Sequence, residues 1–327
     1  MSSNPPYIVA DIGGTNARFG LVSELKGKSD ELVIEQQLTF PSNDFDNLEQ
    51  AVRHYIDSLG SQKLSGACLA VAGPVTGDNV RLTNLNWAFS ISDVKRALDL
   101  PKLKIINDFA AYAFATPFIS PDKLININDG HAVAGSPIAV VGPGTGFGVA
   151  ALVPQGDNWT VLPTEGGHIT LSSKTQLQQS VIQALSSEFS HISIETILSG
   201  PGLVNLYKGL AKVEGVQIAS KNLTASQISH QALSDKDSLS YRTLRLFCAW
   251  LGQATGDLAL SLGARGGVYL GGGILLRFSD FFINSEFMNR FLAKGQMQEY
   301  LYQMPIKLVT DGNSALFGAA AWFEKSE

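Results

Sequence analysis

The 327-residue sequence has few cysteines, no spacing typical of zinc ligands and no long apolar segment, and each absence argues against a class of protein. Its two cysteines, Cys68 and Cys248, stand far apart in apolar surroundings, which favours buried free thiols over a disulfide or a catalytic nucleophile. Together with five scattered histidines they give no spacing typical of zinc ligands. The most apolar segment, residues 258–276, is interrupted by Arg265, and the N-terminus has neither a basic start nor a long apolar run. We therefore expect a cytoplasmic protein without membrane contact.

The charge balance also argues against a nucleic-acid partner. The chain carries 24 basic and 29 acidic residues, a net charge of -5, and no basic cluster that could follow a phosphate backbone. A hydrophobic content of 45% with 16% charged residues is ordinary for a packed globular protein, and the length allows two domains.

The stretch from Tyr7 to Val22 predicts a β-hairpin whose tip is made of small residues. Gly13 and Gly14 let backbone N–H groups approach an anion closely, and Thr15 adds a short hydrogen-bonding side chain, so the tip suits a phosphate. Asp11 would repel that phosphate unless a cation lies between them, and we therefore expect Asp11 to hold Mg²⁺ through water. Taken alone, the stretch could equally be an ordinary glycine hairpin.

Residues 138–153 repeat this design, with an apolar run, a tip containing Gly142, Gly144, Thr145 and Gly146, and a second apolar run. Two such hairpins in separate halves of the chain could hold one nucleotide phosphate chain from opposite sides. The repeat therefore favours a phosphate site over two unrelated turns.

A third glycine turn follows a buried strand in the run from Gly266 to Leu276. Gly271, Gly272 and Gly273 open the next helix, and a turn without side chains could admit a flat adenine ring against the backbone.

Asn107 and Asp108 stand where a short apolar strand, residues 103–106, runs directly into a helix of small residues, 109–115. An Asn-Asp pair at such a junction is a common helix N-cap. The functional alternative is that Asp108 is a general base aimed into a cleft, with Asn107 bonded to a substrate hydroxyl.

Glu165 and His168 lie three residues apart across two glycines. Side chains on so bare a loop can both face one small polar ligand and bind its hydroxyls, although a lone Glu or His on a loop is more often a solvated charge.

Strand, hairpin, strand and helix signals together predict an α/β fold with a mixed sheet. We expect loops at residues 82–91 and 120–129, and short helices over the domain surface in the polar, weakly patterned residues 214–236. A domain boundary near residue 118 and a last helix that returns to the first domain give a small domain of residues 1–118 plus 311–327 and a large domain of residues 119–310.

Six motifs occur in the order and spacing of one family: DIGGTNARFGL, INDFAAYAFATP, GPGTGFGVA, LPTEGGH, ETILSGPGLVNLY and VYLGGGI. From about Tyr7 to Phe323 the chain resembles bacterial ATP-dependent glucokinase of the hexokinase, actin and heat-shock ATPase superfamily. The resemblance implies a two-domain actin-like ATPase fold, related to ribonuclease H, with a central cleft. It also implies phosphorylation of glucose by MgATP, the first step of glycolysis, in a homodimer.

The resemblance also assigns roles to residues. Asp108 looks like the base that takes the proton from the 6-hydroxyl of glucose. The glucose-binding positions match Asn107, Asp108, Glu165, His168 and Glu195. The phosphate turns match Asp11 to Thr15 and Gly142 to Gly146, and the adenosine turn matches Gly271 to Gly273.

One departure separates the chain from related sugar kinases and repressors of the ROK group, which carry a cysteine-rich zinc motif after the histidine. Residues 169–195 contain no cysteine, so we expect no structural zinc.

The sequence fits two other functions less well than it fits a kinase. A sugar-responsive repressor needs a DNA-binding extension, for which the residues before Tyr7 leave no room. A chaperone-like or actin-like ATPase gives no reason for Glu165, His168 and Glu195 to accompany Asp108. The choice of glucose over mannose, fructose or N-acetylated hexosamines stays open.

Overall fold

The structure, a computed structural model, describes residues 5–23, 33–82, 85–156, 158–218 and 222–324. Its strands are β1 (Tyr7–Ile12), β2 (Asn16–Val22), β3 (Ile34–Pro41), β4 (Gly66–Val71), β5 (Asn79–Arg81), β6 (Ala88–Ser90), β7 (Leu103–Asn107), β8 (Leu124–Asp129), β9 (Ile138–Pro143), β10 (Phe147–Gln155), β11 (Asn158–Thr164), β12 (Gly267–Leu270) and β13 (Pro305–Val309). Its α-helices are α1 (Leu48–Ser58), α2 (Ile91–Ala97), α3 (Asp108–Ala115), α4 (Gln176–Leu185), α5 (Ile194–Ile197), α6 (Gly200–Glu214), α7 (Ala225–Ser234), α8 (Leu239–Leu262), α9 (Gly273–Leu276), α10 (Ser279–Ile283), α11 (Phe287–Leu292), α12 (Gln298–Tyr302) and α13 (Ser314–Glu324). The predicted α/β class is confirmed.

These elements form two compact units, Met1–Ser120 with Asp311–Glu327, and Pro121–Thr310. The first unit contains a five-stranded mixed sheet in the order β3-β2-β1-β4-β7. Strands β1, β4 and β7 run parallel, while β2 is antiparallel to both β1 and β3. The carboxyl ends of the three parallel strands therefore meet at one end of this sheet, where ligands commonly bind.

The second unit repeats this arrangement. Its sheet has the order β11-β10-β9-β12-β13, with β9, β12 and β13 parallel and β8 added antiparallel at the edge. The two glycine hairpins, β1 with β2 and β9 with β10, occupy equivalent places in the two sheets. The repeat recognised in the sequence is thus a repeat of topology.

Each unit has a separate hydrophobic core. In the first, the fully buried rings of Phe19 and Tyr55 stack with centroids 5.0 Å apart between the sheet and α1. In the second, the long helix α8 is buried along most of its length, and Trp250 donates from Nε1 to the carbonyl of Ser172 at 2.9 Å. No helix among the described residues is both long and apolar enough to cross a bilayer.

The last helix, α13, packs within the first unit against α3 and β1. The hydroxyl of Tyr7 donates to the carbonyl of Ala320, and its ring stacks on Phe323. A Cβ on Gly318 would lie 1.8 Å from the carbonyl oxygen of Ala111, so only glycine allows this crossing of α13 over α3. Because α3 begins at Asp108, the contact helps to set the position of that residue.

Two predicted loops contain strands. Within residues 82–91, of which 83 and 84 lie outside the described residues, β6 pairs with β5. Within 120–129, β8 pairs with β13 through a register shift. Strand β6 has only three residues, too few to give a strand signal. In β8, Ile125 and Ile127 alternate with Asn126 and Asn128, but the alternation is short and lies between polar residues, so the sequence favoured a loop.

The weakly patterned region 214–236 contains a short helix, as expected from the sequence. Helix α7 lies within it and begins with a capping box between Thr224 and Gln227, while residues 219–221 lie outside the described part of the chain.

Candidate active site

In the first unit, Asp11 and Asp108 lie at the same edge of the sheet. Asp11 is near the end of β1, and Asp108 directly follows β7, with the parallel strand β4 between them. This is the arrangement that the strand-end argument predicts for two functional carboxylates.

The first glycine turn is closed within the hairpin and braced from outside it. Gly13 donates from its backbone N–H to the carbonyl of Asn16 at 2.9 Å. Ser42, fully buried, donates from its backbone N–H to Thr15 and from its hydroxyl to Gly13, at 2.9 and 2.8 Å. Thr15 is exposed at the tip of the turn. Sequence reasoning missed Ser42 because a serine distant in sequence carries no motif of its own.

Asn107 is the N-cap of α3, so the capping interpretation is correct for this residue. Its Oδ1 accepts from the N–H of Ala110 at 2.9 Å. Its Nδ2 donates to the carbonyl of Gly73 at 3.0 Å and to Oδ1 of Asp108 at 3.1 Å. Asn107 therefore orients the neighbouring carboxylate while it caps the helix.

Asp108 is poised to accept a proton near neutral pH. Burial and the nearby charge of Asp11 raise its pKa to about 7, against the lowering effect of hydrogen bonds from Phe109, from its own backbone and from Asn107. The bond from Phe109 N–H to Oδ1 is 2.7 Å long. A carboxyl group with such a pKa suits general base catalysis.

The cation beside Asp11 in the described part of the chain is Arg18. Burial raises the pKa of Asp11, whereas the guanidinium of Arg18 lowers it. Nη1 of Arg18 lies 3.5 Å from Oδ2 of Asp11 and donates to the carbonyl of Gly312 at 3.1 Å. Arg18 thus links Asp11 to the turn that precedes α13, a role that no motif in the sequence indicated.

In the second unit, the turn between β9 and β10 is braced by the start of α6. Gly144 donates from N–H to the carbonyl of Gly146 at 2.8 Å, and Gly200 donates to the carbonyl of Gly144 at 2.7 Å. Gly142 is buried at the end of β9, and Thr145 is exposed at the tip.

The three candidate sugar ligands of this unit gather around the first residue of β10, Phe147. Its N–H donates to Oε2 of Glu195 at 2.7 Å, and its carbonyl oxygen would lie 2.1 Å from a Cβ on Gly167. Glu165 and His168 flank that glycine loop, with Oε2 and Nε2 3.9 Å apart and both side chains exposed.

The third glycine turn abuts the second. Gly271 donates from N–H to the carbonyl of Val141 at 2.8 Å. Gly272 has a φ of 88°, and a Cβ there would lie 2.2 Å from the carbonyl oxygen of Pro143, so this position requires glycine. Gly273 begins α9. The first unit therefore brings Asp11 and Asp108 to one end of its sheet, and the second unit brings its two glycine turns together.

The two mixed sheets have the same strand order, and each carries a glycine hairpin at the equivalent position. This repeated arrangement is that of the actin-like ATPase fold. The crystal structure of glucokinase from *Balamuthia mandrillaris* in complex with glucose has this fold, with 22% identity, a TM-score of 0.80 and coverage of 97% of this chain and 93% of that one. The glucokinase of an Antarctic psychrotroph matches with 47% identity, a TM-score of 0.87 and coverage of 98% and 99%.

The sequence comparisons narrow the class to one family. The family model described as Glucokinase matches residues 8–326. The glucokinase of *Saccharophagus degradans* is 47% identical over 320 residues, 98% of each chain. The chain belongs to the glucokinase family and is accordingly an enzyme, an ATP-dependent glucose kinase.

Proposed function

We propose that the protein transfers the γ-phosphoryl group of ATP to the 6-hydroxyl of glucose with Asp108 as the general base. The observation that carries this proposal is the environment of Asp108, whose pKa of about 7 lets it take and release a proton at neutral pH. The carboxylate removes the hydroxyl proton as the oxygen bonds to phosphorus and the bond from phosphorus to ADP breaks. The proton then leaves to solvent with the products.

The sugar is held by Glu165, His168 and Glu195, with Asn107 orienting the base. Oε2 of Glu165 and Nε2 of His168 lie 3.9 Å apart on exposed side chains, so both can reach neighbouring hydroxyls of one small ligand. A site that binds several hydroxyls rejects analogues that leave its polar groups unpaired, by up to ~10⁴–10⁵ where every group is engaged.

The nucleotide is held by the three glycine turns. Asp11, Gly13, Gly14 and Thr15 form one phosphate turn, Gly142, Gly144, Thr145 and Gly146 the other, and Gly271, Gly272 and Gly273 receive the adenosine. Phosphoryl transfer requires positioning and charge neutralisation more than covalent chemistry, which accounts for turns that offer backbone N–H groups and little else.

The residues around Asp11 fit Mg²⁺ held through water. Asp11 and Asp108 repel each other, and a divalent cation between carboxylate and phosphate would relieve that repulsion. Among the described residues no group of three or more His, Cys, Asp or Glu could enclose a metal, which favours an ion held mainly by water and phosphate. When bound, Mg²⁺ supplies neutralisation of the phosphate charge.

The larger organisation is also a proposal. The two compact units correspond to a small domain, residues 1–118 with 311–327, and a large domain, residues 119–310. The enzyme works in the cytoplasm as a homodimer. Light scattering on the purified protein would test the homodimer.

A sugar panel with coupled ADP detection tests the function. We expect glucose to raise the rate of ADP release strongly above the sugar-free rate. Mannose, fructose and N-acetylated hexosamines are the alternative acceptors to compare with it. An ATPase rate indifferent to every hexose would refute the proposal.

A further inference from the structure

Glu195 contacts the second glycine turn, although its assigned partner is the sugar. Its Oε2 accepts from the N–H of Phe147 at 2.7 Å, immediately after the turn ends. A Cβ on Gly146 would lie 2.5 Å from the same oxygen. The carboxylate therefore occupies the space that the glycine leaves open.

The same segment braces the turn at a second point. Gly200 donates from N–H to the carbonyl of Gly144 at 2.7 Å. Ser199, the N-cap of α6, donates from its hydroxyl to the backbone carbonyl of Glu195 at 2.8 Å. The chain from Glu195 to Gly200 thus holds both the tip and the end of the turn.

The other two candidate sugar ligands of this unit lack such a contact. In the part of the chain that the structure describes, the side chains of Glu165 and His168 pair only with each other and do not bond to the turn. Oε1 of Glu195 accepts no hydrogen bond from any described residue, so one oxygen of this carboxylate is engaged with the turn and the other is available.

We propose that Glu195 is a positioning residue for the nucleotide as well as a sugar ligand. Oε2 fixes the Gly142–Gly146 turn through Phe147, and Oε1 is left for a sugar hydroxyl, so one carboxylate serves both substrates. The proposal rests on the proposed function, because it assigns that turn to the phosphates of ATP. A charge-assisted hydrogen bond to a buried N–H is strong enough to set the geometry of a turn built from glycine.

The test is nucleotide binding without sugar. Calorimetric titration with a non-hydrolysable ATP analogue and Mg²⁺ would compare the wild type with Glu195→Ala, Glu195→Gln and Glu165→Ala. We expect Glu195→Ala to weaken binding roughly tenfold, because Phe147 N–H loses its acceptor. Glu195→Gln should stay near wild type, since its amide oxygen can accept the same bond. Glu165→Ala should also stay near wild type, while all three variants raise the KM for glucose.

An affinity of Glu195→Ala equal to that of the wild type and of Glu165→Ala would overturn the positioning role. If the alanine variant does not fold, Glu195→Asp gives the same comparison, since its shorter side chain withdraws from Phe147 with less loss of volume. Turnover of glucose by the wild type is measured separately: normal nucleotide binding without glucose-dependent ADP release would refute the proposed function and leave the positioning role standing.

Discussion

Asp108 lies close enough to Asp11 for the charge on Asp11 to add to burial in raising the pKa of Asp108 to about 7. Burial raises the pKa of Asp11 in turn, and the guanidinium of Arg18 lowers it. The carboxyl group of Asp108 is thus held at the midpoint of its titration near neutral pH, as the proposed role of general base requires.

The pH profile of the reaction should show this base. Only the ionised form of Asp108 accepts a proton, so kcat/KM is expected to rise as the pH increases through about 7. Asp108→Ala should lose roughly 10²–10⁴ in rate, the usual contribution of general base catalysis, and should still bind glucose. Steady-state kinetics between pH 5 and pH 9 and a glucose titration would measure both; turnover near that of the wild type would show that another group is the base.

Removing the neighbouring charge should move that profile. Asp11→Asn abolishes the repulsion on Asp108 and leaves its burial unchanged, so the acidic limb of kcat/KM is expected to shift to lower pH. The profile is recorded at saturating Mg²⁺, because the variant also loses the metal-associated carboxylate. Asp311→Asn is the matched control, since Asp311 acts on the pKa of Tyr112 and does not contribute to that of Asp108. If the acidic limb of the kcat/KM profile of Asp11→Asn stays at the wild-type pH, the charge of Asp11 does not raise the pKa of Asp108.

The same shift makes Asp108 a cost to stability. Its folded-state pKa is raised above the unfolded value near 3.8, so ionisation weakens the fold as the pH rises from about 4 to about 7. Asp108→Asn removes this penalty and should raise the thermal midpoint, by more at pH 8 than at pH 5. The full shift corresponds to at most about 4 kcal/mol, and solvent access reduces it. Calorimetry at the two pH values would decide; an equal gain at both would attribute the change to packing.

Much of the fold could be predicted because its elements carry strong local signals. The hairpin of β1 and β2 follows from apolar runs around glycines, and the junction between β7 and α3 lies within one residue of its predicted place. Strand β8 falls within a predicted loop, although Ile125 and Ile127 alternate with asparagines, because the alternation is short and lies between polar residues. Its pairing with β13, far away in sequence, could not be predicted from the local pattern.

The candidate site shows the same division. Residues in glycine turns and at strand ends could be singled out from sequence, since those positions have known uses. The contacts that hold them could not: Ser42 on the first turn, Gly200 on the second, and Arg18 between Asp11 and Gly312 are all set by tertiary structure. The sequence offers two roles for Asn107, helix cap or substrate ligand. In the structure its side chain caps α3 and also donates a hydrogen bond to Asp108.

The second glycine turn offers a matched pair of substitutions. A Cβ at Gly146 would meet Oε2 of Glu195 at 2.5 Å, whereas a Cβ at Gly144 would meet no atom within 4 Å. Gly146→Ala is expected to displace the flexible carboxylate and raise the KM for glucose several-fold, on the order of one lost hydrogen bond. Gly144→Ala adds the same methyl group to the same turn and should leave that KM unchanged. Equal KM values for glucose in the two variants would show that the carboxylate does not need its present position.

The crossing of α13 over α3 should tie stability to catalysis. Alanine at Gly318 would place Cβ 1.8 Å from the carbonyl oxygen and 2.5 Å from the carbonyl carbon of Ala111, and backbone atoms cannot turn aside as a side chain can. Such overpacking typically costs about 1–3 kcal/mol, more than the roughly 1 kcal/mol that alanine gains over glycine within a helix.

We therefore expect Gly318→Ala to lower the thermal midpoint and also to lower kcat, because pushing α3 away moves Asp108 at its first residue. Gly312→Ala is the control: it precedes the same helix, its Cβ would meet no atom within 4 Å, and its stability should change by no more than about 0.5 kcal/mol. Thermal melts and steady-state kinetics on both variants give the answer. A stable Gly318→Ala with normal kcat would mean that the two helices separate without disturbing the base, and that the position of Asp108 is fixed by β7 and Asn107 alone.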